Sequence, residues 1–172
     1  MELQKGIPQD TTGRLAKEIR TYDLLDQLGI SYKRIDHAPA MTMEDCQEID
    51  EALQATVCKN LFLCNRSGTK FYLLLICADK PFRTGDVSRQ LGSSRLSFCS
   101  DAQLMDKLGL VAGSVTPMAL YRESARDVVV AIDEDIFDMN MVCVHPCVAT
   151  ASLAISMEDL LKYIGRAGNE IK

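Results

Sequence analysis

The sequence predicts a mixed α+β fold, in which about seven strands form a mixed, partly barrel-like sheet surrounded by about five helices. Short aliphatic and β-branched runs alternate along the chain with segments whose apolar residues recur at helical spacing. Hairpins and crossovers both connect the predicted strands, which favours a mixed sheet over a doubly wound parallel one. The chain contains no repeat, linker or low-complexity tract, so residues 1–172 are predicted to form a single domain.

The predicted helices are recognised by their apolar spacing and by their ends. The first helix has apolar residues at helical spacing and stops before Gly29, a typical C-terminal residue. Ser100 with Gln103 three positions later matches a capping box, and Thr42 and Thr84 are further expected caps. The five predicted helices cover residues 15–28, 42 onward, 84–91, 100–109 and 156–165.

The predicted strands are short apolar runs bounded by turn residues. The two most apolar runs flank a four-residue turn that starts at Asn65 and ends at Gly68, which is typical of a β-hairpin. The seven predicted strands cover residues 31–36, 57–64, 70–77, 95–98, 128–132, 141–144 and 150–155.

Two polar residues interrupt the second predicted strand. Its odd and even positions are both apolar apart from Lys59 and Asn60, so both faces of this strand are predicted to be buried. Burying an ammonium or an unpaired amide costs several kcal/mol, and proteins keep such groups mostly where they are used. The alternative is that Lys59 lies at a strand end and reaches water along its aliphatic stem.

Two other segments carry candidate functional residues. His145 ends a predicted strand just before Pro146, where a hydrogen-bonded structural histidine is the ordinary alternative to a catalytic one. The segment from Gly113 to Pro117 forms a turn in which glycine permits a positive φ or a close ligand approach and proline fixes the exit. An ordinary loop explains that segment equally well.

Charge is unevenly distributed along the chain. The net charge is −5, which argues against indiscriminate nucleic-acid binding. Residues 59–95 nevertheless contain seven bases and two acids, whereas the remainder contains 12 bases and 22 acids. The asymmetry predicts either a basic face that binds phosphates locally or charges that scatter over the folded surface.

The sequence also excludes several classes of protein. The first ten residues resemble no signal peptide and no stretch reaches eighteen apolar residues, so a cytoplasmic protein without membrane contact is expected. The seven cysteines are then expected to be free, mostly buried thiols. Cys143 and Cys147 would lie about 13 Å apart in an extended strand, too far for one zinc ion beside His145. No metal, cofactor or covalent nucleophile is predicted.

Four motifs in order resemble one known family. They are Lys59-Asn60-Leu61-Phe62-Leu63, the run from Gly92 to Phe98, Gly113-Ser114-Val115-Thr116-Pro117, and His145-Pro146 followed by Thr150-Ala151. Together they resemble the prolyl-tRNA editing superfamily of YbaK-like aminoacyl-tRNA deacylases, over most of residues 15–164. His37-Ala38-Pro39 followed by Thr42-Met43-Glu44 is most similar to the freestanding Ala-tRNA(Pro) deacylase branch, also called the prolyl-tRNA-synthetase-associated domain.

The resemblance implies a YbaK-like fold and a hydrolase that removes alanine wrongly esterified to tRNA(Pro). A bound water would attack the ester, assisted by the ribose hydroxyl of the substrate, in a pocket too small for proline. The implied catalytic residues are Lys59, Asn60 and His145; the implied substrate pocket is formed by Gly113, Ser114, Thr116 and Pro117; and Arg95 is the implied contact to the tRNA acceptor end.

The expected partners are mischarged tRNA(Pro) and, among proteins, prolyl-tRNA synthetase or an elongation factor. Three alternatives stay open. A related branch clears Cys-tRNA(Pro), and a domain of the same fold could act only alongside a synthetase. A non-catalytic sensor of amino acids or tRNA is the third, because Ala149 stands where the family commonly has asparagine.

Overall fold

The computed structural model describes residues 3–39 and 43–171. These residues contain eight strands and six helices. The strands are β1 (Gln4–Lys5), β2 (Lys33–Asp36), β3 (Thr56–Cys64), β4 (Phe71–Cys77), β5 (Ser97–Phe98), β6 (Val129–Ile132), β7 (Met141–Val144) and β8 (Ala151–Ser156). The helices are α1 (Ala16–Gln27), α2 (Met43–Leu53), α3 (Thr84–Gln90), α4 (Asp101–Leu108), α5 (Glu134–Phe137) and α6 (Met157–Ala167).

The strands form a mixed sheet in the order β1-β2-β8-β7-β3-β4-β6, with β5 paired to β3 off this path. The β3/β7 and β4/β6 pairs are parallel, and the other pairs are antiparallel. The mixed α+β class is therefore confirmed. The described strands form no closed barrel, because β1 and β6 end the order at opposite edges, so the barrel-like part of the prediction is not confirmed.

The central strand β3 changes partners along one of its edges. Its first two residues, Thr56 and Val57, pair with β7, and its last two, Leu63 and Cys64, pair with β5. On the opposite edge, β4 pairs with β3 without interruption from residue 58 to residue 64. Among the described residues, the middle of β3 thus has no strand partner on one side. We call this break in strand pairing the opening beside β3.

Both faces of β3 are covered, as the sequence predicted. Cys58 and Phe62 belong to the main core, which also contains buried residues of α1, α4 and α6. Leu61 and Leu63 face the other way into a second cluster that includes side chains of β4, β6 and α3. A third cluster packs α2 against β2, β7 and β8.

The ends of α4 confirm the capping prediction. Ser100 Oγ accepts from the main-chain N–H of Gln103 at 3.1 Å, and the Gln103 side chain accepts from the N–H of Ser100 at 2.8 Å. Gly109 ends the helix with φ 65°, a conformation that favours glycine.

Other predicted ends differ from the structure. Thr84 is the first helical residue of α3 and makes no side-chain cap, because the N-cap position is occupied by Arg83. Helix α6 passes through Gly165 and ends at Gly168, where φ is 82°. The predicted cap at Thr42 lies outside the described residues. No helix within the described ranges is long and apolar enough to span a bilayer.

Candidate active site

Lys59 lies inside β3 rather than at its end. It is the fourth of nine strand residues, directly opposite Ile76 of β4, and its side chain is half-buried. Its Nζ donates a 2.6 Å hydrogen bond to the main-chain carbonyl of Lys80. The alternative of a strand-end lysine therefore does not apply, and the ammonium is held at a defined position.

Lys80, whose carbonyl accepts the hydrogen bond from Lys59, is itself held by two ion pairs. Lys80 Nζ lies 2.8 Å from Asp133 Oδ1 and 2.6 Å from Asp135 Oδ2. Burial acts to raise the pKa of Asp133, but the hydrogen bonds from Lys80 and from the Asp135 N–H outweigh it, so the pKa is lowered. With Cys77 these carboxylates form a ligand-like set within 4.8 Å, yet the Lys80 ammonium already contacts both.

Asn60 faces the opposite side of β3 from Lys59. It pairs with Leu75 of β4, and its half-buried side chain shares the face of the main core. Its Oδ1 is buried and has no hydrogen-bond partner among the described residues. An unsatisfied buried polar atom costs about 1–3 kcal/mol. A buried acceptor that the fold leaves unpaired calls for an explanation, and contact with a ligand or a water molecule is the candidate one for Asn60.

His145 is fixed from two directions just after β7. Its Nδ1 lies 3.0 Å from the carbonyl oxygen of Ala151, so Nδ1 carries the proton and donates. Its own main-chain carbonyl accepts from Thr116 Oγ1 at 2.7 Å. Burial lowers the pKa of His145 from its ordinary 6.5, and the nearby His37 lowers it further against the opposing effect of the Ala151 bond. The imidazole is therefore neutral at pH 7, with an unprotonated Nε2.

The parallel register brings Lys59 and His145 to one level of the sheet. Val57 of β3 pairs with Cys143 of β7, and Lys59 and His145 are each two residues further along. Side chains alternate with a period of two along a strand, so Lys59 shares the face of Val57, whereas His145 is the first residue after β7, which ends at Val144. Asn60 lies on the other face beside the same opening. The register thus places Lys59 and His145 at a similar level of the sheet, and their catalytic roles stay predictions.

The Gly113–Pro117 turn packs against the end of β7. Gly113 is exposed and has a φ of 90°, which confirms the positive φ that the sequence predicted at this glycine. Ser114 is buried and donates to the Val111 carbonyl at 2.8 Å, while Thr116 bonds His145 as described above. Pro117 is buried at the start of a 3₁₀ segment, Pro117–Tyr121. These contacts position the turn beside His145, and substrate contact by its residues stays a prediction.

A cleft of about 620 Å³ lies between the start of α1 and the loop after β7, and we call it the α1 cleft. It collects residues of three family motifs, namely His37, Ser114 and Thr150, together with Ala149. His37 Nε2 lies 2.8 Å from Ser152 Oγ. Sequence reasoning gave His37 no role, although it is one of only two histidines and belongs to a motif. Lys59, Asn60 and His145 do not line this cleft.

A second cleft of about 720 Å³ lies between α3 and strands β4 and β6, and we call it the α3 cleft. Its floor is apolar, with Leu74 and Ile76, and its rim carries Lys80 and Arg83. Of the predicted catalytic residues none lines it, although Lys80 connects its rim to Lys59. Neither cleft therefore holds Lys59, Asn60 and His145 together, and their joint role stays a prediction.

A charged network, of which Arg14, Glu18 and Asp36 line the α1 cleft, was not predicted. Arg14 forms two hydrogen bonds to the Asp36 carboxylate, at 3.0 and 2.8 Å, and contacts Glu18 at 2.6 Å. Glu18 also accepts from Tyr22 at 2.6 Å, and the buried Arg34 pairs with Asp36. The bonds from Arg14 lower the pKa of Asp36. Arg14 and Asp36 are 22 residues apart, so no local sequence pattern signals the contact that joins the two halves of the network.

Arg95 is exposed in the segment between α3 and β5. It forms no ion pair with any described residue, so its guanidinium is free to meet an anion. Its predicted contact to tRNA stays a prediction.

Comparison with known proteins places the chain among editing proteins. The profile of the aminoacyl-tRNA editing domain matches residues 37–163. The chain is 33% identical over 148 residues to prolyl-tRNA editing protein ProX of Acetoanaerobium sticklandii, covering 86% of this chain and 90% of that protein. It is 30% identical over 152 residues to prolyl-tRNA synthetase associated domain-containing protein 1 of Danio rerio, covering 87% and 81%.

A solved structure of a candidate trans-editing enzyme for prolyl tRNA synthetase has the same fold. Its TM-score is 0.70 at 18% identity, covering 92% of this chain and 96% of that one. On the basis of the profile match and the similarity to ProX, the chain belongs to the aminoacyl-tRNA editing domain family.

Proposed function

We propose that this protein is a trans-editing hydrolase that deacylates mischarged Ala-tRNA(Pro). The observation that carries the proposal is the break in strand pairing beside β3: Lys59 is fixed and Asn60 Oδ1 is unsatisfied in the unpaired stretch, and the neutral His145 follows directly after β7, the strand that pairs with the start of β3. ProX, a relative named for prolyl-tRNA editing, supports the choice of tRNA(Pro).

In the proposed reaction, water adds to the carbonyl carbon of the ester, and the ribose oxygen leaves with a proton to regenerate the tRNA hydroxyl and free alanine. Lys59 stabilises the negative charge that develops on the ester oxygen or on the neighbouring phosphate. Asn60 Oδ1 accepts a hydrogen bond from the water or the amino group of alanine. The ribose hydroxyl of the substrate assists the water, and His145 shapes the pocket through its neutral ring.

A thiol nucleophile is disfavoured near this site. Burial raises the pKa of Cys143 to about 12 and that of Cys147 to about 11. A buried thiol with a raised pKa is a poor nucleophile at neutral pH, because the thiolate is the reactive form. Attack by water is therefore the mechanism that fits the residues present.

Selectivity for alanine follows from size in this proposal. A synthetase pocket made for proline rejects a smaller side chain by only about 1–3 kcal/mol, so alanine is sometimes attached. A second pocket too small for proline then admits alanine and leaves correctly charged tRNA intact. The turn from Gly113 to Pro117, rigidly attached to His145 through Thr116, is the proposed wall of that pocket.

A deacylation panel tests the proposal. Purified protein is incubated separately with Ala-, Ser-, Cys- and Pro-tRNA(Pro), and loss of the aminoacyl group is followed over time. We expect rapid loss of alanine and no loss of proline. Faster release of cysteine would assign the protein to the Cys-tRNA(Pro) branch, and binding of all four without turnover would make it a sensor.

We also propose that prolyl-tRNA synthetase or an elongation factor delivers the substrate. The net charge of −5 does not favour independent capture of a free tRNA, which supports delivery by a partner. Pull-down with each protein, with and without tRNA(Pro), tests this. Absence of both from the bound fraction under all conditions would contradict delivery.

A further inference from the structure

Phe98 is the most exposed large apolar side chain among the described residues, at 61%. It lies in β5, and its ring meets the ring of Phe82 edge to face, with centroids 5.5 Å apart and an angle of 63°. This contact holds the ring in place while most of its surface stays in water. A fixed and exposed aromatic ring offers a surface on which another flat ring can stack.

Phe98 lies on the same face of the sheet as Lys59. Phe98 pairs directly with Leu63, which shares its face of β3 with Lys59. Leu63 lies four residue steps along the strand from Lys59, a distance of about 13 Å. The segment from Lys80 to Phe82 spans this interval, because the Lys80 carbonyl bonds Lys59 and the Phe82 ring contacts Phe98.

Three exposed arginines neighbour this aromatic pair, two in the sequence and one through a main-chain contact. Arg83 follows Phe82, and Arg95 precedes Phe98 by three residues. Arg66 is brought close to Arg95 because its N–H donates to Ser94 Oγ at 3.2 Å. None of the three forms an ion pair within the described part of the chain. Exposed rings next to unpaired cations are the combination that binds single-stranded nucleic acid.

We propose that Phe98 is a stacking platform for an unpaired base near the 3′ end of the tRNA, with the surrounding arginines contacting its phosphates. The proposal rests on the function proposed above, since the ester at the terminal adenosine would lie near Lys59. At the stacked spacing of about 3.4 Å per nucleotide, 13 Å corresponds to at most about four nucleotides, and to fewer in an extended strand. The platform would therefore receive a base of the single-stranded acceptor end.

Kinetics on a long and a short substrate test the proposal. The variants are Phe98→Ala, Phe98→Trp and, as a matched control, Phe137→Ala, which removes the other exposed phenylalanine. We expect Phe98→Ala to raise KM for Ala-tRNA(Pro) about tenfold with little change in kcat, because one stacked base is lost. Hydrolysis of the alanyl ester of adenosine, which lacks the upstream bases, should be unchanged. Phe98→Trp should retain normal KM.

An unchanged KM for Phe98→Ala on Ala-tRNA(Pro), or an equal loss with Phe137→Ala, would overturn the proposal. A second measurement does not depend on hydrolysis. The natural chain has no tryptophan, so Phe98→Trp contains a single tryptophan, whose emission can be excited selectively over that of the five tyrosines. Its emission should be quenched by a single-stranded CCA-ending oligonucleotide but not by a blunt duplex. If the wild type hydrolyses neither substrate, the proposed function fails, and this titration alone decides whether the platform exists.

Discussion

Two polar regions at partly buried positions differ in how well their groups are paired. In the network beside the α1 cleft, Arg14, Glu18, Arg34 and Asp36 all have charged partners within the protein. In the middle of β3, Lys59 has only a main-chain carbonyl as a partner among the described residues, and Asn60 Oδ1 has none there. The first region is thus satisfied by the fold itself, and the second is not.

This difference distinguishes polar groups that stabilise the fold from polar groups that serve function. A buried charge whose partners are all supplied by the protein contributes to the folded state, and removing one partner leaves the other uncompensated. A polar group that the fold leaves incompletely paired destabilises the folded state. Such a group is retained where a ligand supplies the missing hydrogen bond. We therefore expect substitutions in the network to reduce stability and substitutions in β3 to reduce activity.

The largest expected effect is on the activity of Lys59→Met. Loss of one preorganised charge at the reacting ester lowers a rate by about 10²–10³-fold. The single-turnover deacylation rate of Ala-tRNA(Pro) should fall by this factor, while thermal unfolding changes little. Lys162→Met is the control, since Lys162 also donates to a main-chain carbonyl, that of Leu28, at 2.7 Å but lies in α6. Equal deacylation rates for the two variants would contradict a special role for the incompletely paired Lys59.

Arg34→Met should show the reverse behaviour. Arg34 is 1% exposed and bonds the Asp36 carboxylate, the Gly6 carbonyl and Gln4. The Asp36 side chain is 36% exposed and keeps both bonds from Arg14, so the free energy of unfolding in urea should fall by about 1–3 kcal/mol, from the hydrogen bonds of Arg34 that are lost. The rate per folded molecule should be unchanged. Arg89→Met, which breaks only the exposed pair with Asp86, should cost far less.

Thr116→Val tests the connection between the turn and His145. The valine keeps the shape but removes the 2.7 Å hydrogen bond to the His145 carbonyl and the 3.2 Å bond that the hydroxyl accepts from the Met118 N–H. Each lost hydrogen bond costs about 1 kcal/mol, and His145 should also lose its fixed position. Thr116→Ser keeps the hydroxyl and should restore both stability and rate. A valine variant with wild-type rate would show that the turn does not position the histidine.

The smallest effect is the pH dependence that His145 contributes. Its folded pKa lies below the unfolded value near 6.5, so the unfolded state binds more protons as the pH falls. His145 thus contributes stability that is fully present above pH 6.5 and is lost as the pH falls through the folded pKa. The slope for one proton is at most about 1.4 kcal/mol per pH unit. His145→Gln should make the free energy of unfolding depend less steeply on pH below 6.5. An unchanged slope of that free energy against pH would contradict the burial of His145.

Much of the fold follows from local sequence signals. The seven predicted strands are present with small shifts at their ends, and the capping box at Ser100 forms as expected. The two exposed residues of β1 were missed because they carry no apolar pattern. Helix α5 has only four residues, too few for a helical period to appear.

The candidate site was predicted only in part, for a physical reason. Lys59 and Asn60 stand out in the sequence because they break an apolar pattern, which is a local signal. The charged network does not stand out, since the Arg14–Asp36 contact that connects the segment before α1 to β2 forms only after folding. The opening beside β3 depends on where β7 and β5 end, which is a property of the whole sheet.

The most direct test is a crystal structure with a non-hydrolysable analogue, adenosine carrying alanine through a 3′-amide. We predict that the alanyl group binds at the opening beside β3, with Lys59 Nζ and the Asn60 side chain within hydrogen-bond distance of it. Binding of the alanyl group in the α1 cleft or the α3 cleft, with Lys59 still bonded only to the Lys80 carbonyl, would contradict the account.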